Sequence, residues 1–247
     1  MSIFDRLQVA LSKKNFQRQF HPLGLKKRRT LLVSVPSEPA QIMTTLSFLG
    51  GLKKWGQIIA LIPHAVHQFY YWLPKKYYTT IVYENPGRYL GKEKKILRQQ
   101  LQGHTIHFLV ELNSLVNLSF PNLSVIEKRI CFYDMKNYPY YNIMMKDGFS
   151  ALHEFFDIKR ANPAKVVSFS GHSKTKVRTA YGKRKPLCLV NGPLPPEWAG
   201  DTIVVGKDIP ATHPDILCLL YFSEAYYGKR DILYEFACVF KKKIVDK

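Results

Sequence analysis

Leu31-Leu32-Val33-Ser34-Val35-Pro36-Ser37-Glu38-Pro39, carried on through Ile42-Met43-Thr44-Thr45-Leu46 to Ile58-Ile59-Ala60-Leu61-Ile62-Pro63, decides the fold of this chain. Leu31 to Val35 is a short apolar run without helical spacing, stopped by a proline, and reads as a buried strand. Ser37-Glu38-Pro39 reads as a helix start: a polar cap, then a proline in the first turn, where a missing N–H costs nothing. Ile42, Met43, Leu46, Leu49 and Leu52 recur at three- and four-residue spacing and predict one apolar helix face. Gly56, after Trp55, is expected to close that helix in the left-handed conformation. Ile58 to Ile62 is the next strand. Strand, helix and strand at this spacing form a βαβ unit, which implies a parallel sheet with sites at the carboxyl ends of its strands.

The alternation continues outward. Strands are expected at Thr79–Tyr83, His104–Leu112 and Arg129–Tyr133, with helices over 64–73 and 92–101 between them and over 149–156 beyond. Asn162-Pro163 is a break. After it come expected strands at Val166–Phe169, Leu187–Val190 and Thr202–Val205, a helix after His213-Pro214-Asp215 and another over 231–240. The fold class is therefore α/β: a Rossmann-like doubly wound parallel sheet over 30–160, followed by a smaller second α/β domain over 161–247. Residues 1–29 form a basic N-terminal arm whose Ile3, Phe4, Leu7, Ala10 and Leu11 make an apolar helical stripe. That stripe suits a helix lying on an anionic membrane or one docked on the domain's own surface.

The chain carries 37 Lys and Arg against 18 Asp and Glu, a formal net charge of +19. A field of that size attracts phosphates, in nucleotides, nucleic acid or anionic lipid. No apolar run approaches the roughly 20 residues that span a bilayer, and Leu7 to Leu11 is too short for a signal-peptide core, so an intracellular protein is expected. Cys131 and Cys188 fall in expected strands, and Cys218 and Cys238 in expected helices. All four read as buried, reduced thiols. No C-x-x-C pair, Walker A loop, G-x-G-x-x-G or G-x-S-x-G elbow occurs, which argues against the zinc, P-loop, dinucleotide and serine-hydrolase readings.

Candidate site residues cluster at strand ends. Ser37, Glu38 and Gln41 lie at a helix start, where backbone N–H groups favour an anion or a polar substrate group, and Glu38 is a candidate general base. Glu111 and Asn113 end the strand that begins at His104, and Glu111 is the second candidate base. Lys174, Lys176 and Arg178, in a Gly- and hydroxyl-bearing loop, are candidates for binding phosphate, and Asn191 and His213 for touching a ligand. Each has a plainer reading: cap, turn or solvated loop.

Met43-Thr44-Thr45-Leu46-Ser47-Phe48-Leu49, His104 to Asn113 and Lys128-Arg129-Ile130-Cys131-Phe132 resemble three motifs of the heptosyltransferase-like glycosyltransferases, family 9 of the GT-B fold. They match its "t-l-P-a-l" helix, its "y-D-l-v-i-D-l-n" strand and its "k-R-i-G-f" strand. The resemblance implies a shortened GT-B architecture and sugar transfer from a nucleotide-sugar donor to a lipid-linked or surface-glycan acceptor, as in lipopolysaccharide assembly. It implies no cofactor or metal, the nucleotide sugar being a substrate, and a cytoplasmic protein peripheral at the inner face of the cytoplasmic membrane. Lys174, Lys176 and Arg178 would then neutralise the leaving diphosphate. In this register Ala40-Gln41 stands where the family has Gly-Asp, and the C-terminal region lacks a "D-T-G-…-H-x-A" segment. Those departures favour an alternative, a non-catalytic relative that binds a partner or an anionic membrane. Charge alone favours a third reading, a nucleic-acid-binding protein.

Overall fold

The computed structural model describes residues 3–17, 29–84, 87–169, 175, 179, 187–193, 198 and 200–245. The chain divides into two compact units, one of residues 1–65 with 74–161 and one of residues 66–73 with 162–247.

The first unit is built on six parallel strands: β1 (Leu31–Ser34), β2 (Ile58–Pro63), β3 (Tyr78–Tyr83), β4 (Phe108–Glu111), β5 (Lys128–Phe132) and β6 (Ile143–Met145). Their order in the sheet is β3-β2-β1-β4-β5-β6. The chain starts in the middle, winds out to one edge, returns and winds out to the other, so β1 and β4 flank the point where the order reverses. Every residue of β1, β2 and β4 is buried, as strands covered on both faces require, whereas edge strand β3 alternates. Successive side chains of β4 separate the two cores. Leu109 joins Leu32, Ile59, Leu61 and Cys131 in one aliphatic cluster. Phe108 meets Trp55 and Phe156 edge to face, and Phe156 in turn meets Phe48. Helix α2 (Ile42–Leu52) and helix α5 (Gly148–Phe155) bring Phe48 and Phe149 together in the same packing.

Helix α1 (Ile3–Gln17) belongs to this unit. Val9 is buried in the aliphatic cluster, and the Arg129 guanidinium stacks 4.4 Å over the Phe16 ring. Arg129 is itself fully buried. It donates from Nε to Tyr140 O and from NH1 to Ile126 O, both at 2.6 Å, and burial lowers its pKa to about 10. Of the expected stripe, Leu7 is 53% and Leu11 75% exposed, and Ala10 is exposed as well.

The second unit holds a four-stranded parallel sheet, order β10-β9-β7-β8, from β7 (Leu187–Asn191), β8 (Asp201–Val204), β9 (Ala225–Gly228) and β10 (Lys243–Ile244). Short helix α3 (His67–Tyr70) belongs to it, with Phe69 stacked on Phe236 of helix α7 (Ile232–Val239). Helix α6 (Ile216–Phe222) follows the His213-Pro214 turn.

Several expectations change. Val166–Phe169 is not a strand: Pro163 opens a 3-10 turn, Val166 and Val167 are buried without a ladder, and Phe169 packs on Tyr221. β6, β9 and β10 were not expected from the sequence. Cys238 is exposed, because α7 turns Leu233, Phe236 and Ala237 inward. Gly56 takes φ 135°, not the left-handed helical value, and a Cβ there would meet Arg29 O at 2.5 Å. The constraint is the close approach of the Arg29 backbone, which donates its N–H to Trp55 O at 2.8 Å.

Candidate functional site

Ser34 ends β1 and Glu111 ends β4, and the parallel register places them as direct neighbours. This is the carboxyl edge of the sheet at the point where strand order reverses, the crevice where open α/β sheets bind ligands. Both residues are fully buried. The chain leaves β1 through Val35, Pro36, Ser37 and Glu38, and leaves β4 through Leu112, Asn113 and Ser114. Asn113 ties the two exits together. Its Nδ2 donates to Glu111 Oε1 at 2.6 Å, Ser34 Oγ at 3.0 Å and Val35 O at 3.2 Å, two hydrogens shared among three acceptors. Its Oδ1 accepts the Ser37 N–H at 3.2 Å, and its own N–H reaches Glu111 Oε1 at 3.1 Å. Tyr141 closes the far side, donating to Asn117 O at 2.8 Å, with Glu111 Oε2 at 3.4 Å.

Burial pushes the Glu111 carboxyl up to about 7, against the pull of hydrogen bonds involving Asn113, Ser34 and Asn117. The same burial raises Tyr83 and Tyr141, with the Glu111 charge adding to the effect. Glu111 is thus a carboxyl walled in by protein, bonded to Asn113 rather than to solvent.

Glu38 is placed differently. The expected helix starts later: Pro39–Gln41 is a 3-10 turn, α2 begins at Ile42, and neither Glu38 nor Gln41 caps through its side chain. The half-buried Glu38 instead reaches the other loop, where its Oε1 accepts from Ser114 Oγ at 2.9 Å. Its Oε2 is buried without a hydrogen-bond partner among the described residues. Gln41 Oε1 and Thr45 Oγ1 share that condition, and Thr45 is fully buried. Gln41, at the end of the 3-10 turn, and Thr45 are four apart and lie on one side of the helix, while Glu38 precedes the turn with extended backbone. Buried polar atoms rarely go unpaired, so these three stand out at this sheet edge as atoms whose bonding the described residues do not account for.

Ser37, Glu38, Gln41, Glu111 and Asn113 thus meet at one sheet edge. Asn191 and His213 belong to the second unit. Asn191 Nδ2 donates to Asp231 Oδ2 at 2.6 Å. Asp231 in turn caps α7, its Oδ1 accepting the N–H groups of Leu233 at 3.0 Å and Tyr234 at 3.4 Å. His213 Nδ1 accepts the Asp215 N–H at 3.1 Å, a turn contact ahead of α6. Lys174, Lys176 and Arg178 lie outside the described residues. Ser34, Thr45, Ser114 and Tyr141 were not singled out in the sequence. Ser114 abuts Asn113 and Ser34 precedes Ser37 by three positions, but Tyr141 comes 30 positions after Glu111 and carries no local mark.

These two parallel-sheet units constitute an α/β fold of the GT-B type. Among solved structures the chain is similar to a glycosyl transferase family 9 protein from Veillonella parvula, at TM-score 0.64 and 11% identity, over 90% of this chain and 81% of that one. It is also similar to E. coli ADP-heptose lps heptosyltransferase II, at TM-score 0.59 and 11% identity, over 88% of this chain and 84% of that one. The E. coli heptosyltransferase WaaC with ADP-2-deoxy-2-fluoro heptose gives TM-score 0.54 and 10% identity, over 88% of each chain. At these identities the likeness is one of fold. No protein-family profile matches the sequence, and no curated protein matches it.

Proposed function

We propose that this protein transfers a sugar from a nucleotide-sugar donor to a hydroxyl of a glycan or lipid-linked acceptor, in assembly of the lipopolysaccharide type. The observation that carries the reading is the Glu38 carboxylate. One oxygen is held by Ser114 and the other has no partner among the described residues, at the carboxyl edge where β1 and β4 diverge. An acceptor hydroxyl must lose a proton as it attacks the anomeric carbon, and an oriented carboxylate is suited to take it. Gln41 cannot take a proton at neutral pH, so the base role falls to Glu38. Glu111, walled in, supports the site through Asn113, which holds the Ser37 N–H and so the entry to the Glu38 turn. The solved structures of similar fold include an ADP-heptose heptosyltransferase, which supports a nucleotide-sugar donor here. The donor diphosphate falls to the basic Lys174, Lys176 and Arg178 segment on sequence grounds.

Glu38→Gln tests the reading. With donor and acceptor supplied, the variant should lose transfer by about 100-fold or more while keeping the wild-type Kd for donor. Wild-type turnover in Glu38→Gln would remove Glu38 from the chemistry.

A further inference from the structure

Among its described side chains, helix α1 is docked by one side. Val9, Phe16, a Gln8 Oε1 to Lys94 Nζ contact at 3.0 Å and an Asn122 Nδ2 to Ser12 Oγ contact at 3.4 Å face the domain. Leu7 and Leu11, one turn apart, face outward, 53% and 75% exposed, and Ala10 between them is exposed as well. The loop beside the helix adds Val125, 85% exposed. Leu11 and Val125 border one continuous groove. A cavity of about 360 Å³ is lined by Ser12, Phe16, Arg98, Asn122 and Val125, and an adjoining one of about 290 Å³ shares Ser12, Arg98 and Asn122 and is lined also by Leu11.

The charge around this apolar ridge is positive. Arg6 and Lys13 are exposed on α1, Arg98 lines the groove, and Asp5 is the helix's lone acid against three basic residues. A partner must therefore supply both an apolar phase for two leucines and a valine and a layer of negative charge at its rim. Nucleic acid supplies only the charge. No helix among the described residues is long and apolar enough to cross a membrane. A helix with exposed leucines flanked by basic residues is suited to lie on one. We propose that α1, with the Val125 loop, is the surface by which this protein docks on an anionic lipid bilayer, the leucines inserting and the arginines and lysine meeting the headgroups. The proposal is independent of the transfer chemistry.

Co-sedimentation of the full chain with large vesicles tests it, using 70:30 phosphatidylcholine:phosphatidylglycerol against phosphatidylcholine alone. Wild type should bind the anionic vesicles and leave the neutral ones. Leu7→Ser/Leu11→Ser should lower the partition coefficient roughly tenfold, since it removes the inserted apolar area without changing charge. Arg6→Glu/Lys13→Glu should lower it by a similar factor. Lys75→Glu/Lys136→Glu makes the same charge change at other exposed positions of the unit and should leave most of the binding. All substituted positions are exposed, and an unchanged melting temperature confirms that each variant is folded. The proposal is overturned by no binding of wild type, or by equal losses in the Lys75/Lys136 control and the α1 variants, which would show general attraction by net charge. Binding of Leu7→Ser/Leu11→Ser at the wild-type level overturns it too, and none of these outcomes bears on Glu38.

Discussion

At the scale of single residues, Glu111 carries a pH signature of its own. Its carboxyl is raised from 4.5 to about 7 by burial. Between those values the folded protein holds a proton that the unfolded chain has released. Stability from this group is therefore complete below pH 4.5 and falls as pH rises through 7, the reverse of a salt-bridged carboxylate. The limit is ~3 kcal/mol, from about 1.4 kcal/mol per unit of pKa. Urea unfolding of wild type and Glu111→Gln across pH 5 to 8 reads it directly. The difference in stability between the two should change with pH in that sense. His107 and His153, lowered by burial, act with the opposite sign but are common to both proteins and cancel. A pH-independent difference would mean that Glu111 keeps one protonation state over this range. The same buried carboxyl, through Asn113, sets where the Glu38 loop begins, so residue chemistry and site geometry share one network.

Among the elements, the turn from α2 into β2 leaves no room for a side chain at Gly56. Gly56 at φ 135° has the Arg29 backbone where a Cβ would be, so any side chain must displace main chain that borders β1. Gly56→Ala should cost roughly 1–3 kcal/mol or more. Gly91→Ala has open space around it at φ 62° and should cost about 1 kcal/mol. Thermal melts of the two variants side by side separate backbone strain from collision, and equal losses would show that the Arg29 contact yields easily. Gly228 repeats the device in the second unit, where a Cβ would stand 2.4 Å from Asn191 O. Asn191 there links the end of β7 to Asp231, the cap of α7. Helix α1 shows the limit of reading an element alone. Its residues at three- and four-residue spacing marked a stripe, but Val9 and Phe16, off that stripe, found the aliphatic cluster and Arg129.

For the molecule as a whole, two parallel sheets and a charge of +19 set the expected ligands. A nucleotide sugar that binds only the folded protein raises its melting temperature by mass action, by ~5–10 °C at a hundredfold excess over Kd. Screening ADP, UDP, GDP and CMP sugars at near-physiological salt, with heparin as a polyanion control, should give a shift specific to one nucleotide. A large heparin shift with no nucleotide shift would leave a basic scaffold without a donor site and would count against sugar transfer.

The alternation of apolar runs with helical spacing, β1 through β5, is local, because burial on both faces of a strand and on one face of a helix imprints its period on consecutive residues. The sequence by itself therefore determined the α/β class, the parallel sheet and the strand ends that bear Ser37, Glu38, Glu111 and Asn113. It could not determine the strand order β3-β2-β1-β4-β5-β6, which makes β1 and β4 neighbours. Only that order brings Ser114 to Glu38 across 76 positions and Tyr141 to Glu111 across 30. β6, β9 and β10 are likewise defined by the neighbour each pairs with rather than by their own residues. Which carboxyl is bonded to Asn113 and which has an oxygen without a partner among the described residues follows from packing between segments remote in the chain, and no local pattern records that.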